Sequence, residues 1–255
     1  MISDIIIPIA VLFTAVICGG WFQSFFVHKS NNAFKMVLAF SAAYLLALSI
    51  LHILPEVFSD IGPHAGWYIL AGFFLQIILD YFSHGIEHGH AHFQSGHHPK
   101  NFLVGVMAAL WVHAFIEGMP FGGNLTHHHD HHHTHDMPLM EFGNTLLIGI
   151  SVHKLTEGFV VASLLRSFRI NRFQLTIWLV VFALIAPMGA VTNQLLIHHS
   201  SSGIDTFTSP LLAILVGIML HVSTIILFEN DQHHKFNLTK LVIIVFGIAS
   251  AALMA

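Results

Sequence analysis

Long apolar runs divide almost the whole of this 255-residue chain, and they limit what it can fold into. Each run is about as long as the ~20 residues with which an α-helix crosses a bilayer. Because the hydrocarbon core offers no water, a crossing segment satisfies its backbone polar groups by forming a helix. The runs are 5–27, 34–58, 66–84, 102–121, 142–167, 173–197, 210–228 and 238–254.

The runs predict an all-α integral membrane protein of about eight transmembrane helices, with one membrane domain over residues 1–255. A content of 55% apolar and 9% charged residues agrees, since soluble domains carry roughly 25% charged residues. The first run lacks the basic residues that begin a cleavable signal, so we expect a retained helix. The partner is the lipid bilayer, and no nucleic-acid partner is expected.

Lysine and arginine fall in alternate connections between the runs, apart from Lys154. The positive-inside rule then places these connections in the cytoplasm and both chain termini outside, in a bacterial cytoplasmic (inner) membrane. This charge pattern supports the count of eight independently of hydropathy. The residues concerned are Lys29, Lys35, Lys100, Arg166, Arg169, Arg172, Lys235 and Lys240.

Two central runs each carry a histidine and a glutamate four residues apart, His113 with Glu117 and His153 with Glu157. In a helix this spacing puts both side chains on one face, one turn apart. Ionisable residues at bilayer depth are costly and mark functional sites. Two imidazoles and two carboxylates suit a borderline divalent ion, with Zn²⁺ first and Fe²⁺, Mn²⁺ or Cd²⁺ as alternatives. The single cysteine, Cys18, excludes a thiolate cluster.

Other polar residues trace a path across the predicted bundle. His52 and Glu56 are four apart near the outer end of the second run, which suits an entrance site. We interpret four further residues on the cytoplasmic side as exit ligands, and His221, nearer mid-membrane, as either a relay or a core histidine. The exit candidates are Asp80, His84, His88 and Glu229.

Histidine is also concentrated in two connections, at about 88–100 on the predicted cytoplasmic side and at 124–138 on the outer side. Such tracts bind zinc, nickel or copper without a fixed geometry. The alternative is a solvated low-complexity loop with no required role.

The two His-x-x-x-Glu-Gly motifs, His113-Ala-Phe-Ile-Glu117-Gly and His153-Lys-Leu-Thr-Glu157-Gly, resemble those of the ZIP (Zrt/Irt-like) family of divalent metal transporters. The resemblance extends over the whole chain, including His52-Ile-Leu-Pro55-Glu56 at the end of the second run. It implies uptake of zinc or a similar ion toward the cytoplasm. It also implies a bundle in which helices 1–3 and 6–8 form an inverted repeat around helices 4 and 5.

The chain departs from many such relatives, which resemble a two-ion design. Those relatives have a polar residue directly after each motif histidine and a carboxylate before the proline of the sixth run. Here these positions are Ala114, Lys154 and Ala186. Our hypothesis is that one ion is held and that the Lys154 ammonium takes the place of the second. The alternatives are that Lys154 loses its proton when metal arrives, or that it extends toward a water-filled cavity.

Two other classes stay open. A membrane metal sensor would bind ions without moving them, and sequence cannot separate the two. A di-iron membrane hydroxylase would also be rich in histidine, but it needs its histidine boxes on one side of the membrane. No nucleotide-binding motif is present, so transport would use the ion gradient, the membrane potential or protons. Small-residue helix faces permit a homodimer without requiring one.

Overall fold

The computed structural model describes residues 2–26, 31–83, 100–123, 140–168, 170–199, 205–229 and 238–253, and these are almost entirely helical. Each apolar run lies on a helix or a pair of consecutive helices. The helices are α1 Ile2–Phe26, α2 Asn31–Leu48, α3 Leu54–Ile61, α4 Ala65–Ser83, α5 Lys100–Gly118, α6 Met140–Ser167, α7 Arg172–His199, α8 Asp205–Glu229 and α9 Leu238–Leu253.

The second run forms one continuous element that is not a regular α-helix throughout. A π-helical turn, Ser49–Ile53, joins α2 to α3, and the Leu54 N–H donates to the Ser49 carbonyl five residues back. Pro55 follows in the first turn of α3, where its missing N–H is tolerated. The element ends at Gly62, whose φ of 57° is a conformation that favours glycine.

The exterior of the bundle is apolar. Large side chains such as Trp67, Tyr81 and Phe228 are 75% or more exposed, whereas several polar side chains are buried. Within the described residues, six stretches are long and apolar enough to cross a membrane. One of these, Phe34–Ser83, runs for 50 residues through α2, α3 and α4, and α9 is a shorter apolar helix. The protein is an integral membrane protein.

Glycines bring neighbouring helices close enough for their backbones to touch. A Cβ on Gly158 would overlap the carbonyl of Val16, so α6 lies directly on α1. A Cβ on Gly118 would overlap the carbonyl of Ala186, so α5 lies on α7. Close approach through small residues is how helices pack inside a bilayer, where apolar burial provides little driving force between them.

Two further helix pairs use the same device. Gly72 of α4 faces the backbone of Ile214 on α8, and Gly217 of α8 faces Ile69 on α4. Gly247 of α9 approaches the Phe40 carbonyl of α2 at 2.9 Å, measured from an added Cβ. These contacts hold α4 against α8 and α2 against α9.

Candidate metal centre

The four motif side chains converge between α5 and α6. His113 and Glu117 lie one turn apart on α5, and His153 and Glu157 lie one turn apart on α6, as the spacing predicts. All four are less than 5% exposed. Buried charged groups are costly unless paired or bound to a metal, so this cluster is a functional-site candidate.

The two Oε1 atoms of the carboxylates face the two imidazoles. His113 Nε2 lies 3.2 Å from Oε1 of Glu117 and 3.2 Å from Oε1 of Glu157. His153 Nε2 lies 3.6 Å and 3.5 Å from the same two atoms. One ligand atom from each of the four residues lies within 4.8 Å of all the others. Among the described residues no other His, Cys, Asp and Glu side chains form such a group of three or more.

These separations match the edges of a tetrahedral zinc site. Zinc binds histidine nitrogen and carboxylate oxygen at about 2.0 to 2.2 Å, which places neighbouring ligand atoms of a tetrahedron about 3.3 to 3.5 Å apart. The four nitrogen–oxygen separations of 3.2 to 3.6 Å differ from that range by no more than a fraction of an ångström. The four nitrogen–oxygen separations are therefore compatible with a single ion held between these side chains.

Lys154 lies on the other side of the same carboxylates and is fully buried. Its Nζ is 2.6 Å from Oε2 of Glu157 and also pairs with Oε2 of Glu117. Each carboxylate thus directs one oxygen toward the imidazoles and the other toward the ammonium. With neutral imidazoles the group has a formal charge of −1, from two carboxylates and one ammonium, so it attracts a cation.

A chain of hydrogen bonds leads away from His113. Its Nδ1 lies 2.9 Å from Oε1 of Gln76 on α4, and the Gln76 Nε2 donates to Oδ1 of Asp80 at 3.2 Å. Oδ2 of Asp80 is 2.6 Å from Nε2 of His221 on α8. In the sequence, a glutamine within an apolar run predicts only a hydrogen bond between helices. The i,i+4 spacing of Gln76 and Asp80 is a signal for their contact, but not for the contact with His113.

The remaining predicted residues are placed separately. His52 lies in the π-helical turn, with Nε2 3.1 Å from the Ala251 carbonyl of α9. Glu56 is partly buried on α3. Asp80 and His221 form a pair, while His84 and His88 lie outside the described residues, as do the two histidine-rich connections. Glu229 ends α8, and its side chain lies outside the described part.

Gly118 and Gly158 each follow a motif glutamate, and small residues at these positions predict that α5 and α6 approach each other there. This prediction is wrong. Each glycine instead contacts a different neighbour, α7 or α1, because that is where a backbone carbonyl lies against it. At the end of α5, the Met119 carbonyl next to Pro120 accepts a hydrogen bond from Nδ2 of Asn193 on α7 at 2.9 Å.

The fold and the centre define a helical membrane protein with a buried His₂Glu₂ cluster suited to a divalent metal ion. The ZIP zinc transporter family model matches residues 104–255, more than half of the chain and the part that contains both motifs. The chain therefore belongs to the ZIP family, whose members are divalent metal transporters rather than enzymes. The search of curated proteins found no match.

Proposed function

We propose that the protein carries a divalent transition-metal ion, zinc in the first place, into the cytoplasm through His113, Glu117, His153 and Glu157. The observation that carries this proposal is the set of four nitrogen–oxygen separations near those of a tetrahedral site. Burial supports it as well, because a water-excluded site lets an ion exchange its hydration shell for protein ligands.

The mixed ligand set supports zinc without excluding related ions. Imidazole suits zinc and iron, whereas carboxylate is also acceptable to manganese. Such ligation holds an ion less firmly than thiolates do, which suits a site that must release its cargo. Fe²⁺, Mn²⁺ and Cd²⁺ are therefore the alternative cargoes to compare with Zn²⁺.

The ends of the path are part of the proposal. The proposed entrance ligands are His52, in the π-helical turn of the second run, and Glu56, four residues later in α3. The 2.6 Å pair of Asp80 and His221 supports an exit region beyond the centre. His84, His88 and Glu229 would continue that exit toward the cytoplasm.

We further propose eight crossings in a bacterial inner membrane, with both termini outside. Phe34–Ser83 has 50 residues, about twice the length of one crossing, and is broken at Gly62. Contacts between helices support the inverted repeat: α1 packs on α6 as α7 packs on α5, and α2 packs on α9 as α8 packs on α4. An inverted repeat matches α1 to α7, α2 to α8, α4 to α9 and α5 to α6. Under this match, the first contact of each pair becomes the second.

We also propose that the centre holds one ion, with Lys154 in place of a second. Its ammonium contacts Oε2 of both carboxylates, and a second metal would need those two atoms. Replacing Lys154 with Asp should raise the ratio of bound zinc to protein from about one toward two, as additional carboxylate ligation becomes available. An unchanged ratio in a folded Lys154→Asp protein would contradict the one-ion design.

Zinc entry into sealed proteoliposomes tests the central proposal. We expect saturable entry with the wild-type protein and none with the double variant His113→Ala, His153→Ala, because two of the four ligands are lost. The matched control is His64→Ala, His198→Ala, which removes two exposed histidines and should retain uptake. Parallel assays with the other three ions rank the cargo.

A metal sensor is the second candidate function, since binding and transport use the same ligands. If purified protein binds zinc but oriented proteoliposomes under an ion gradient admit none of the four ions, the transport proposal fails and the sensor is favoured. Loss of binding in the ligand variant would still locate the metal centre.

A further inference from the structure

The hydrogen-bond chain beside the centre joins three helices. Gln76 of α4 is fully buried and contacts His113 of α5, while Asp80, one turn further along α4, contacts His221 of α8. Its ends are two imidazoles, and the Gln76 amide and the Asp80 carboxylate lie between them, at separations of 2.6 to 3.2 Å. Within this chain of hydrogen bonds, the Gln76 amide connects Asp80 to His113.

The chemistry of the chain fixes the direction of each hydrogen bond. A carboxylate only accepts, so the Gln76 group that faces Asp80 is the NH₂ group. The carbonyl oxygen of Gln76 must then face His113, and it can only accept a hydrogen bond from a protonated Nδ1. The Nε2 atom of His113 is consequently the one that is available to a metal, and it is the atom that lies 3.2 Å from both Oε1 atoms.

The two helices that carry Gln76, Asp80 and His221 are packed closely against each other. The His221 ring meets the Phe73 ring edge to face, with centroids 4.9 Å apart and planes at 88°. Gly72 and Gly217 bring the backbones of α4 and α8 into contact on the same helix pair. Gln76 is thus supported by a close-packed pair of helices rather than by a loop.

The second imidazole of the centre is held differently. Nδ1 of His153 is buried, and within the described part of the chain it has no hydrogen-bond partner. Of the two imidazoles, only that of His113 is therefore oriented through a hydrogen bond at Nδ1 in the described part of the chain. Metal-binding histidines usually donate their second N–H to such a partner, and loss of the partner typically lowers metal affinity 10- to 100-fold, in order of magnitude.

We propose that Gln76 is a positioning residue for metal binding: oriented by Asp80 and His221, its carbonyl keeps the proton on Nδ1 of His113 and directs Nε2 to the carboxylates. This inference rests on the metal centre proposed above. It assigns to α4 and α8 a part in cargo binding, although neither helix contributes one of the four ligands.

The test observes the Nδ1 proton directly in protein whose histidines are labelled with ¹⁵N. In metal-free wild type, we expect Nδ1 of His113 to be protonated and its proton to exchange slowly with water; His113→Ala assigns the signal. In Gln76→Leu, Nδ1 loses the Gln76 acceptor, and a proton on Nε2 can instead be donated to the nearby carboxylates. We therefore expect the Nδ1 proton signal to be lost while the His153 signals stay unchanged.

Zinc binding to the purified protein provides the second readout. Gln76→Leu should raise the Kd for zinc about 10- to 100-fold. The matched control is Gln23→Leu, which changes a buried glutamine of α1 and should leave both the Kd and the His113 signals as in wild type. Gln76→Glu retains an acceptor beside Nδ1, so we expect it to restore the Nδ1 proton.

The outcomes separate this inference from the function on which it rests. A retained Nδ1 proton and an unchanged Kd in folded Gln76→Leu would overturn the role of Gln76. If that variant does not fold, the similarly sized Gln76→Met takes its place, because its thioether offers Nδ1 only a weak acceptor; an unchanged His113 signal would again overturn the inference. Failure of wild type to bind zinc removes the metal centre, and the metal-free spectra still report on Gln76.

Discussion

At Lys154, a single side chain changes the chemistry available to two carboxylates. Its ammonium pairs with Oε2 of Glu117 and of Glu157, and both Oε1 atoms remain directed at the histidines. A buried ion pair contributes little net stability relative to apolar packing, but removal of one partner leaves an uncompensated charge. Lys154 thus compensates the charge of both carboxylates, and in the proposed one-ion design it leaves their Oε1 atoms to the metal.

Replacing Lys154 with Met should destabilise the metal-free protein by about 3 to 5 kcal/mol, because two buried carboxylates lose their counter-charge. Added zinc should stabilise this variant more than it stabilises wild type, since the ion supplies the missing positive charge. Thermal unfolding in detergent, with and without zinc, measures both effects. The control is Lys35→Met, which alters an exposed lysine of α2. Equal stability of the Lys154 variant and wild type without metal would refute the compensation.

At the level of elements, α5 and α6 carry the ligands while their neighbours determine where those ligands lie. Gly118 and Gly189 interlock α5 with α7, and Gly19 and Gly158 interlock α1 with α6. Each contact places a glycine against a backbone carbonyl, which cannot move aside as a flexible side chain would. The separation of the four ligands therefore depends on residues that never touch the ion.

Gly118→Ala should reduce stability by roughly 1 to 3 kcal/mol, because the added methyl group overlaps the Ala186 carbonyl and forces α5 from α7. Its zinc affinity should also fall, since Glu117 is the adjacent residue. The matched change is Gly66→Ala in the first turn of α4, where an added Cβ meets nothing within 4 Å. Unfolding curves and zinc titrations of the two variants provide the comparison, and similar behaviour of both would contradict the packing argument.

The turn between α3 and α4 has a different requirement, because Gly62 has a positive φ and open space around it. Gly62→Ala should cost about 1 to 2 kcal/mol through backbone strain alone, without affecting zinc affinity. Thermal unfolding and a zinc titration of this variant separate the two quantities. A large loss of zinc affinity without a loss of stability would show that the turn acts on the metal centre.

For the whole molecule, the apolar exterior and the buried polar centre agree with one bundle inside a bilayer. The count of crossings depends on whether Phe34–Ser83 turns back at Gly62, and the distribution of lysine and arginine favours such a turn. The proposed topology puts the α3–α4 turn outside and the α6–α7 connection in the cytoplasm.

Cysteine labelling of intact cells tests this topology. In a Cys18→Ser background, His64→Cys should react with a membrane-impermeant thiol reagent, whereas Asn171→Cys should react only after the cells are permeabilised. Both positions are exposed, so access depends on the side of the membrane. The reverse pattern would invert the proposed orientation. Labelling of both positions in intact cells would contradict the three crossings proposed between them, α4, α5 and α6, because an odd number puts the two positions on opposite sides.

Much of the architecture was predictable from local sequence, because a bilayer leaves a long apolar run few alternatives to a helix. The observed helices follow the predicted runs to within a few residues at most ends. The ligand pairs were equally predictable, since a spacing of four residues within one helix fixes both members on one face.

Partners contributed by different helices were not predictable in the same way. Sequence alone suggested that Gln76 bridges helices, but only packing brought it to Nδ1 of His113. It likewise placed Gly118 against Ala186 rather than against α6. The sequence by itself determined the helices and the residues that each turns to one side. Which sides meet was decided by the tertiary structure, because backbone contacts between distant segments depend on the complete bundle.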